Sequence, residues 1–318
     1  MSGIKQLRTG QSVLARHTGG LSRQLKRVYL TRGRITVARL VALLFLGLLL
    51  QPNLYSKVEP SSLTGKMSEA FANYVRATDD RNNAELQRGA DLLWIDTLPE
   101  AARKQAYSAL ADGEVQLEQR GTHESEGGFR CPECLIHHWE GLMFIPGAKV
   151  NDVLRVLEDY NHHAEYYAPD VVRSRIESRD GDHFRVFLRF QRKKVITVVL
   201  NTEHDVSYFR DAPDRAHSRS SATHIAEVEN PGKANEREKP RDDDGGYLWG
   251  METWWRMEEK NNGVYVQSEV VSLTRSIPTG LGWMIGPFVT AIPKESLTFT
   301  MEATRKAVLA QLRARTAN

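Results

Sequence analysis

Residues 247–276 read YLWGMETWWRMEEKNNGVYVQSEVVSLTRS, and their alternation decides the fold. Successive side chains of a strand point to opposite faces. One face of the first half therefore collects Tyr247, Trp249, Met251, Thr253, Trp255 and Met257, while the other carries Glu252, Arg256 and Glu258. Lys260-Asn261-Asn262-Gly263 has the composition of a hairpin turn. The returning strand sets Val264, Val266, Ser268, Val270, Ser272 and Thr274 on the face opposite Gln267 and Glu269. The pair is an antiparallel hairpin with one covered face. On this reading Glu252 and Glu269 face solvent. Trp and Met opposite small hydroxyls fit an apolar cavity with a few polar handles. They fit equally a packed core whose hydroxyls bond to backbone.

Working outward, LIHHWEGLMFIPG (135–147) is a strand closed by Pro146-Gly147. Val150, Val153, Leu154, Leu157 and Tyr160 then form the stripe of an amphipathic helix, followed by a second short helix that Pro169 ends. A meander of about six antiparallel strands follows, hairpin included. VVRSRIESR (171–179) turns at Asp180-Gly181-Asp182 into HFRVFLRFQR (183–192), followed by VITVVLNTEHDVSYF (195–209) and AHSRSSATHIAEVE (216–229). Phe184, Val186, Leu188 and Phe190 face inward, and Arg185, Phe187 and Arg189 outward. His204 shares the parity of Thr202 and Leu200 and faces the covered side. The chain ends with Gly-interrupted PTGLGWMIGPF (278–288) and a long helix to Arg313, striped by Leu297, Met301, Val308 and Leu312.

The amino-terminal part has a different character. Residues 1–39 hold nine Lys or Arg and no acid, so the 40 acids outnumber the basic residues of the remainder. An acidic body excludes a nucleic-acid footprint spread over it. Leu40–Leu50 is an uncharged apolar run, long enough for a signal-peptide core and short for a spanning helix. Residues 1–55 thus read as a basic segment plus a signal peptide or membrane anchor. Taking a bacterial host, the protein is membrane-anchored or exported to the cell envelope. Residues 56–119 read as a small helical segment, with Thr97 and Glu100 forming a capping box around Pro99. Residues 120–134 are a linker containing Cys131-Pro-Glu-Cys134, whose spacing fits a tight disulfide in an oxidising compartment. A redox centre would want the first Cys at a helix start, whereas this one leads into a strand. Residues 135–318 are the main domain.

The order strand, two helices, six strands, long C-terminal helix resembles the START and Bet v 1-like ligand-binding superfamily, which includes polyketide cyclases. LIHHWEGLMFIPGAKVNDVLRVLEDYNHH, HFRVFLRFQRKKVITVVLNTEHDVSYF and YVQSEVVSLTRSIPTGLGWMIGPFVTAIPKESL carry the resemblance over about residues 135–313. It implies an α+β helix-grip fold, a curved antiparallel sheet wrapped around the C-terminal helix, and a tunnel between them. The resemblance and the parity together point Leu188, Phe190, Trp249, Met251, Thr253, Trp255, Val266, Ser268 and Met301 at a hydrophobic small molecule or lipid. Trp283, Met284 and Phe288 plug the tunnel's end. Members commonly bind apolar molecules, and a minority catalyse ring closure or dehydration. His204 is the acid–base candidate for a cyclase- or dehydratase-like enzyme, and a structural envelope protein with a filled interior is the third alternative. Neither HExxH nor a regular Cys/His ligand spacing occurs, so the sequence points to no metal and no cofactor. It leaves the oligomeric state open.

Overall fold

The computed structural model describes residues 63–121, 131, 133–193, 197–241, 243–276 and 282–317, with 282–290 described by backbone alone. They fall within one compact unit, Glu59–Asn318. Helix α1 (Gly65–Arg88), a 3-10 turn (Trp94–Thr97) and helix α2 (Glu100–Ala111) come first. Strands β1 (Gln116–Gln119) and β2 (Cys134–Pro146) lead to α3 (Val150–Leu157) and α4 (His163–Tyr166). The meander is β3 (Val171–Asp180), β4 (His183–Lys193), β5 (Thr197–Ala212) and β6 (Arg215–Glu229), then the short β7 (Arg237–Glu238), β8 (Gly250–Glu259) and β9 (Gly263–Arg275). Helix α5 (Gly282–Thr316) closes the order.

The described strands form one antiparallel sheet in the order β1-β2-β9-β8-β6-β5-β4-β3, with β7 paired to β6. Its edges are β1 and β3, and no ladder joins them. The sheet is open, neither strongly curled nor closed, which corrects the expectation of a helix-grip sheet wrapped around the C-terminal helix. Helices cover both faces, so each apolar face is buried without the sheet curling.

On the first face α5 and α3 pack against Met143, Val266, Met257, Phe184, Val186 and Val206. Gly141 lets α5 approach, because a Cβ there would lie 3.2 Å from Leu297 Cγ. On the second face α2, the 3-10 turn and Leu93 just before it bury Leu142, Phe144 and Tyr265 beneath Leu93, Ile95 and Leu110. Further along, Val271 and Trp254 lie under Tyr74 and Val75. Gly250 admits the ring of Phe71, whose nearest atom would sit 2.6 Å from an added Cβ.

The small helical segment is therefore the cover of the second face. Thr64 caps α1, its hydroxyl accepting from Met67 N–H at 3.3 Å, and Gly89 ends it in the left-handed conformation. The capping box expected at Thr97 is not formed. Thr97 Oγ1 donates instead to Trp94 O, closing the 3-10 turn, and α2 starts after Pro99 without a side-chain cap. Residues 116–119, expected as helix, form the edge strand β1 along Trp139–Leu142.

The membrane-anchored or exported placement, with the membrane as a partner, is corrected to this extent. Among the described residues no helix is long and apolar enough to cross a membrane. The basic stretch and Leu40–Leu50, with the signal peptide or anchor read there, lie outside the described residues.

Glu252 and Glu269 have the parity expected of them, yet neither faces solvent. Glu269 is 1% exposed and Glu252 8%. Glu269 stands directly opposite Glu140 in the β2–β9 ladder. Arg81 of α1 pairs with Glu269 and lies 3.6 Å from Glu140, which Arg120 also holds at 2.8 Å. Asn82 donates to Glu269 at 2.9 Å. Asp79 accepts from Arg219 and from Trp254 Nε1, each at 2.8 Å, and Glu85 pairs with Arg256 at 2.6 Å. Removing one partner from a buried charge cluster costs about 3 kcal/mol or more, whereas an exposed pair contributes about 1 kcal/mol or less. Urea denaturation of the full chain should show Arg81→Ala losing about 3 kcal/mol, reduced somewhat by partial exposure of the side chain. Lys104→Ala, which breaks the exposed pair with Glu100, should lose under about 0.5 kcal/mol.

Candidate ligand-binding face

The face under α5 is built by the even positions of β4, β5 and β9, the even positions of β6 as far as Ala222, and the odd positions of β2 and β8. The register assembles rows of side chains across it. Gly141, Ser268, Trp255, Ser218 and Tyr208 form one row. Trp139, Val270, Thr253, Ser220, Val206 and Phe184 form the next.

The two ends of this face differ. Toward α3 and α4 it is solid: Tyr160 and Tyr208 hydroxyls meet at 2.7 Å, and Tyr208 donates to Leu157 O at 3.0 Å. Tyr167 meets Thr304 of α5 at 2.9 Å. Burial pushes the Tyr167 hydroxyl up to about 12, so it stays protonated as a hydrogen-bonding group. At the middle of the sheet Met251, Thr253, Trp255, Val270 and Ser220 remain half-buried. Side chains central to a large sheet, beneath a helix, are normally sealed. Their partial exposure marks a trough.

Polar groups punctuate it. His204 is 2% exposed. Its Nε2 lies 2.9 Å from Thr202 Oγ1 and its Nδ1 3.5 Å from Ser220 Oγ. Burial pulls its imidazole down to about 4, against a small opposing effect of Asp205, so the ring is neutral. Ser218 and Ser268 hydroxyls flank Trp255, buried and without a hydrogen-bond partner.

The expected site residues divide accordingly. Met251, Thr253 and Trp255 lie together in the trough, with half-buried Leu188 and Phe190 beside Phe299. Val266, Ser268 and Met301 sit in sealed parts of the same face. Trp249 does not join Trp255. Strand β8 begins only at Gly250, so the alternation does not extend to Trp249. Its ring packs on the second face with Met67, Cys134 and Leu273, and its Nε1 donates to Asp244 at 2.9 Å. The side chains of Trp283, Met284 and Phe288 lie outside the described residues. Phe187 points away from the trough, its ring under the Arg175 guanidinium at 3.9 Å. Cys131 and Cys134 are joined in a disulfide.

Sequence reading missed Thr202, Ser218 and Ser220. The signal was present: Ala216, Ser218, Ser220 and Ala222 alternate with His217, Arg219 and Ser221 in β6, a run of small residues on one face. It also missed the second-face chain in which Tyr74 OH meets His138 Nδ1 at 2.7 Å and His138 Nε2 meets Glu269 at 2.5 Å. Nothing in the alternation of β2 and β9 signals that a charged helix will cover them. Among the described residues no cluster of three or more His, Cys, Asp or Glu is placed to hold a metal ion.

No protein-family model matches this chain, and no curated protein matches its sequence. Among solved structures, it is similar to a protein from Thermus thermophilus at 14% identity and TM-score 0.40, over 54% of this chain and 97% of that one. It is similar to a STAR-related lipid transfer protein from Xanthomonas axonopodis at 17% identity and TM-score 0.38, over 60% and 98%. The Zhui aromatase/cyclase from a Streptomyces species is similar at 14% identity and TM-score 0.35, over 57% and 96%. Likenesses this distant carry no argument about activity.

The carboxylates of the second face make a checkable contrast with the neutral trough. Burial pushes Glu252 up to about 7, with Ser221 and Arg219 opposing. Burial also pushes Glu269 up, but His138, Arg81 and Asn82 overcome it and hold that carboxyl at about 2. A carboxyl raised on folding contributes stability that is complete below its unfolded value and lost as pH rises through the folded one. Glu252 therefore costs stability between about pH 4.5 and 8, while Glu269 is ionised throughout that window. His163 and His204, pulled down by burial, titrate with the opposite sign, so the clean comparison is with a variant. In urea denaturation the stability of Glu252→Gln relative to the parent should rise by about 2 kcal/mol from pH 5 to pH 8. An unchanged difference between the two pH values would refute the assignment.

Proposed function

We propose that this protein binds a hydrophobic small molecule or lipid in the trough beneath α5, and that it acts as a binding module rather than an enzyme. The observation that carries this is the half-buried stripe of Met251, Thr253, Trp255 and Val270 at the centre of the sheet, beside fully buried Met257, Val266 and Ser268 on the same face. A mostly apolar concavity with a few fixed polar groups is the general form of a small-molecule site. Trp255 supplies a large flat apolar surface, and the neighbouring hydroxyls orient what lies on it. Against catalysis, His204 with a value near 4 is a weak base at neutral pH, and its Nε2 is engaged by Thr202.

Native mass spectrometry of the full chain, followed by extraction and identification of small molecules, tests the reading. A retained apolar molecule is expected. Trp255→Ala should weaken its retention at least about tenfold, equivalent to ~1.4 kcal/mol. Phe209→Ala, at an exposed position on the opposite parity, should leave retention unchanged. Equal losses from both substitutions, or no retained molecule in the parent, would overturn the proposal.

A further inference from the structure

The hydroxyls and imidazole of the trough form a chain with a fixed direction. Thr202 Oγ1 donates its hydrogen to Leu188 O at 3.1 Å. A backbone carbonyl can only accept, so the hydrogen of Thr202 is committed there. Facing His204 Nε2 at 2.9 Å, the same oxygen must then accept. This places the imidazole proton on Nε2. The ring being neutral, Nδ1 is left with a lone pair, and it faces Ser220 Oγ at 3.5 Å. Ser220 is thereby directed to donate to His204, and what it offers the trough is an oxygen lone pair. Ser220 is also the member of this chain that is only half-buried. It lies between Val206 and Thr253 in the row adjoining Trp255.

Charge stays away from Ser220 itself and reaches this row only at its β2 end, where Lys294 Nζ lies 5.9 Å from the centre of the Trp139 ring. The β-strand positions adjoining Ser220 on this face are Val206, Thr253, Ser218 and Ala222. An ionised group placed at Ser220 would lose water with no charged side chain at the adjoining strand positions, which is costly.

We infer that the ligand is an uncharged apolar molecule bearing a hydroxyl group, and that this hydroxyl donates its hydrogen to Ser220 Oγ. The inference rests on the binding reading above and narrows its ligand class. A molecule that can only accept, such as an ether, meets a second acceptor at Ser220. A carboxylate meets the same mismatch and adds the desolvation of its charge.

Titration of the full chain by intrinsic tryptophan fluorescence, with 1-decanol, methyl decyl ether and decanoate, separates these cases. The alcohol should bind about tenfold more tightly than the ether, the usual scale for one net hydrogen bond with its mismatch removed. Decanoate should bind more weakly than the alcohol. Ser220→Ala should make alcohol and ether equal, and Ser220→Thr, which restores a hydroxyl, should recover the preference. Equal binding of alcohol and ether to the parent, tightest binding of decanoate, or a preference untouched by Ser220→Ala would each overturn the inference while leaving the binding site intact. No response to any of the three probes, with no retained molecule by mass spectrometry, would overturn the binding reading together with it.

Discussion

Two carboxylates facing each other across a buried β-ladder set the terms for this protein. Glu140 and Glu269 are directly opposed on β2 and β9, each 1% exposed. Like charges at that separation repel, and burial removes the water that would screen them. The arrangement holds because α1 brings Arg81 and Asn82 onto Glu269, because Arg120 reaches Glu140, and because His138 reaches Glu269 from the same sheet. The helix is therefore a necessary partner of the central strands. Its docking in turn accounts for the open sheet. With α1 and α2 over one face and α5 over the other, neither face needs to curl to escape water.

Much of this was legible in the sequence, because strand parity is a local geometric rule. The alternation in 183–190 sent Phe184, Val186 and Leu188 to one face and Phe187 to the other, as found. Parity also set Glu252 and Glu269 on a common face. It could not say what covered that face. A strand that alternates apolar and charged residues normally has its charged side in water. Only the pairing of Glu269 with Arg81 and Asn82, more than a hundred residues away in the chain, and of Glu252 with Ser221 and Arg219 on the neighbouring strand, turns those charges into buried partners. Helix α1 does carry an apolar stripe at helical spacing, Phe71, Tyr74 and Val75, and that stripe docks, but nothing in it indicates that Asp79, Arg81 and Asn82 further along the helix will meet buried charges.

The candidate site was readable wherever regular strand persisted, and misread where it stopped. Met251, Thr253 and Trp255 fell together because β8 is regular across them. Trp249 was lost because the chain arrives through Gly245 and Gly246, the latter with positive φ, and the strand begins one residue later at Gly250. A single residue at a strand boundary thus moved a large aromatic from one face to the other. In β5 and β6 the register shifts after Glu203, next to His204. The extra residue there is Thr223, so β6 keeps its even positions on the trough face only as far as Ala222, and spacing alone does not show where that parity ends.

The two faces contain parallel polar chains with opposite electrostatic character. On the second face a histidine stands between a tyrosine hydroxyl and an ionised carboxylate, in a cluster balanced by arginines. On the first face a histidine stands between two hydroxyls, and its hydrogen-bond chain ends on a backbone carbonyl. A charged terminus can exchange protons and change its demands with pH. A carbonyl terminus cannot, so the direction of the chain is fixed by the sheet that supplies Leu188 O. The same alternation that segregates carboxylates from hydroxyls thus reserves charge for holding the fold together. It leaves the trough with neutral groups whose donor and acceptor roles the backbone has already assigned.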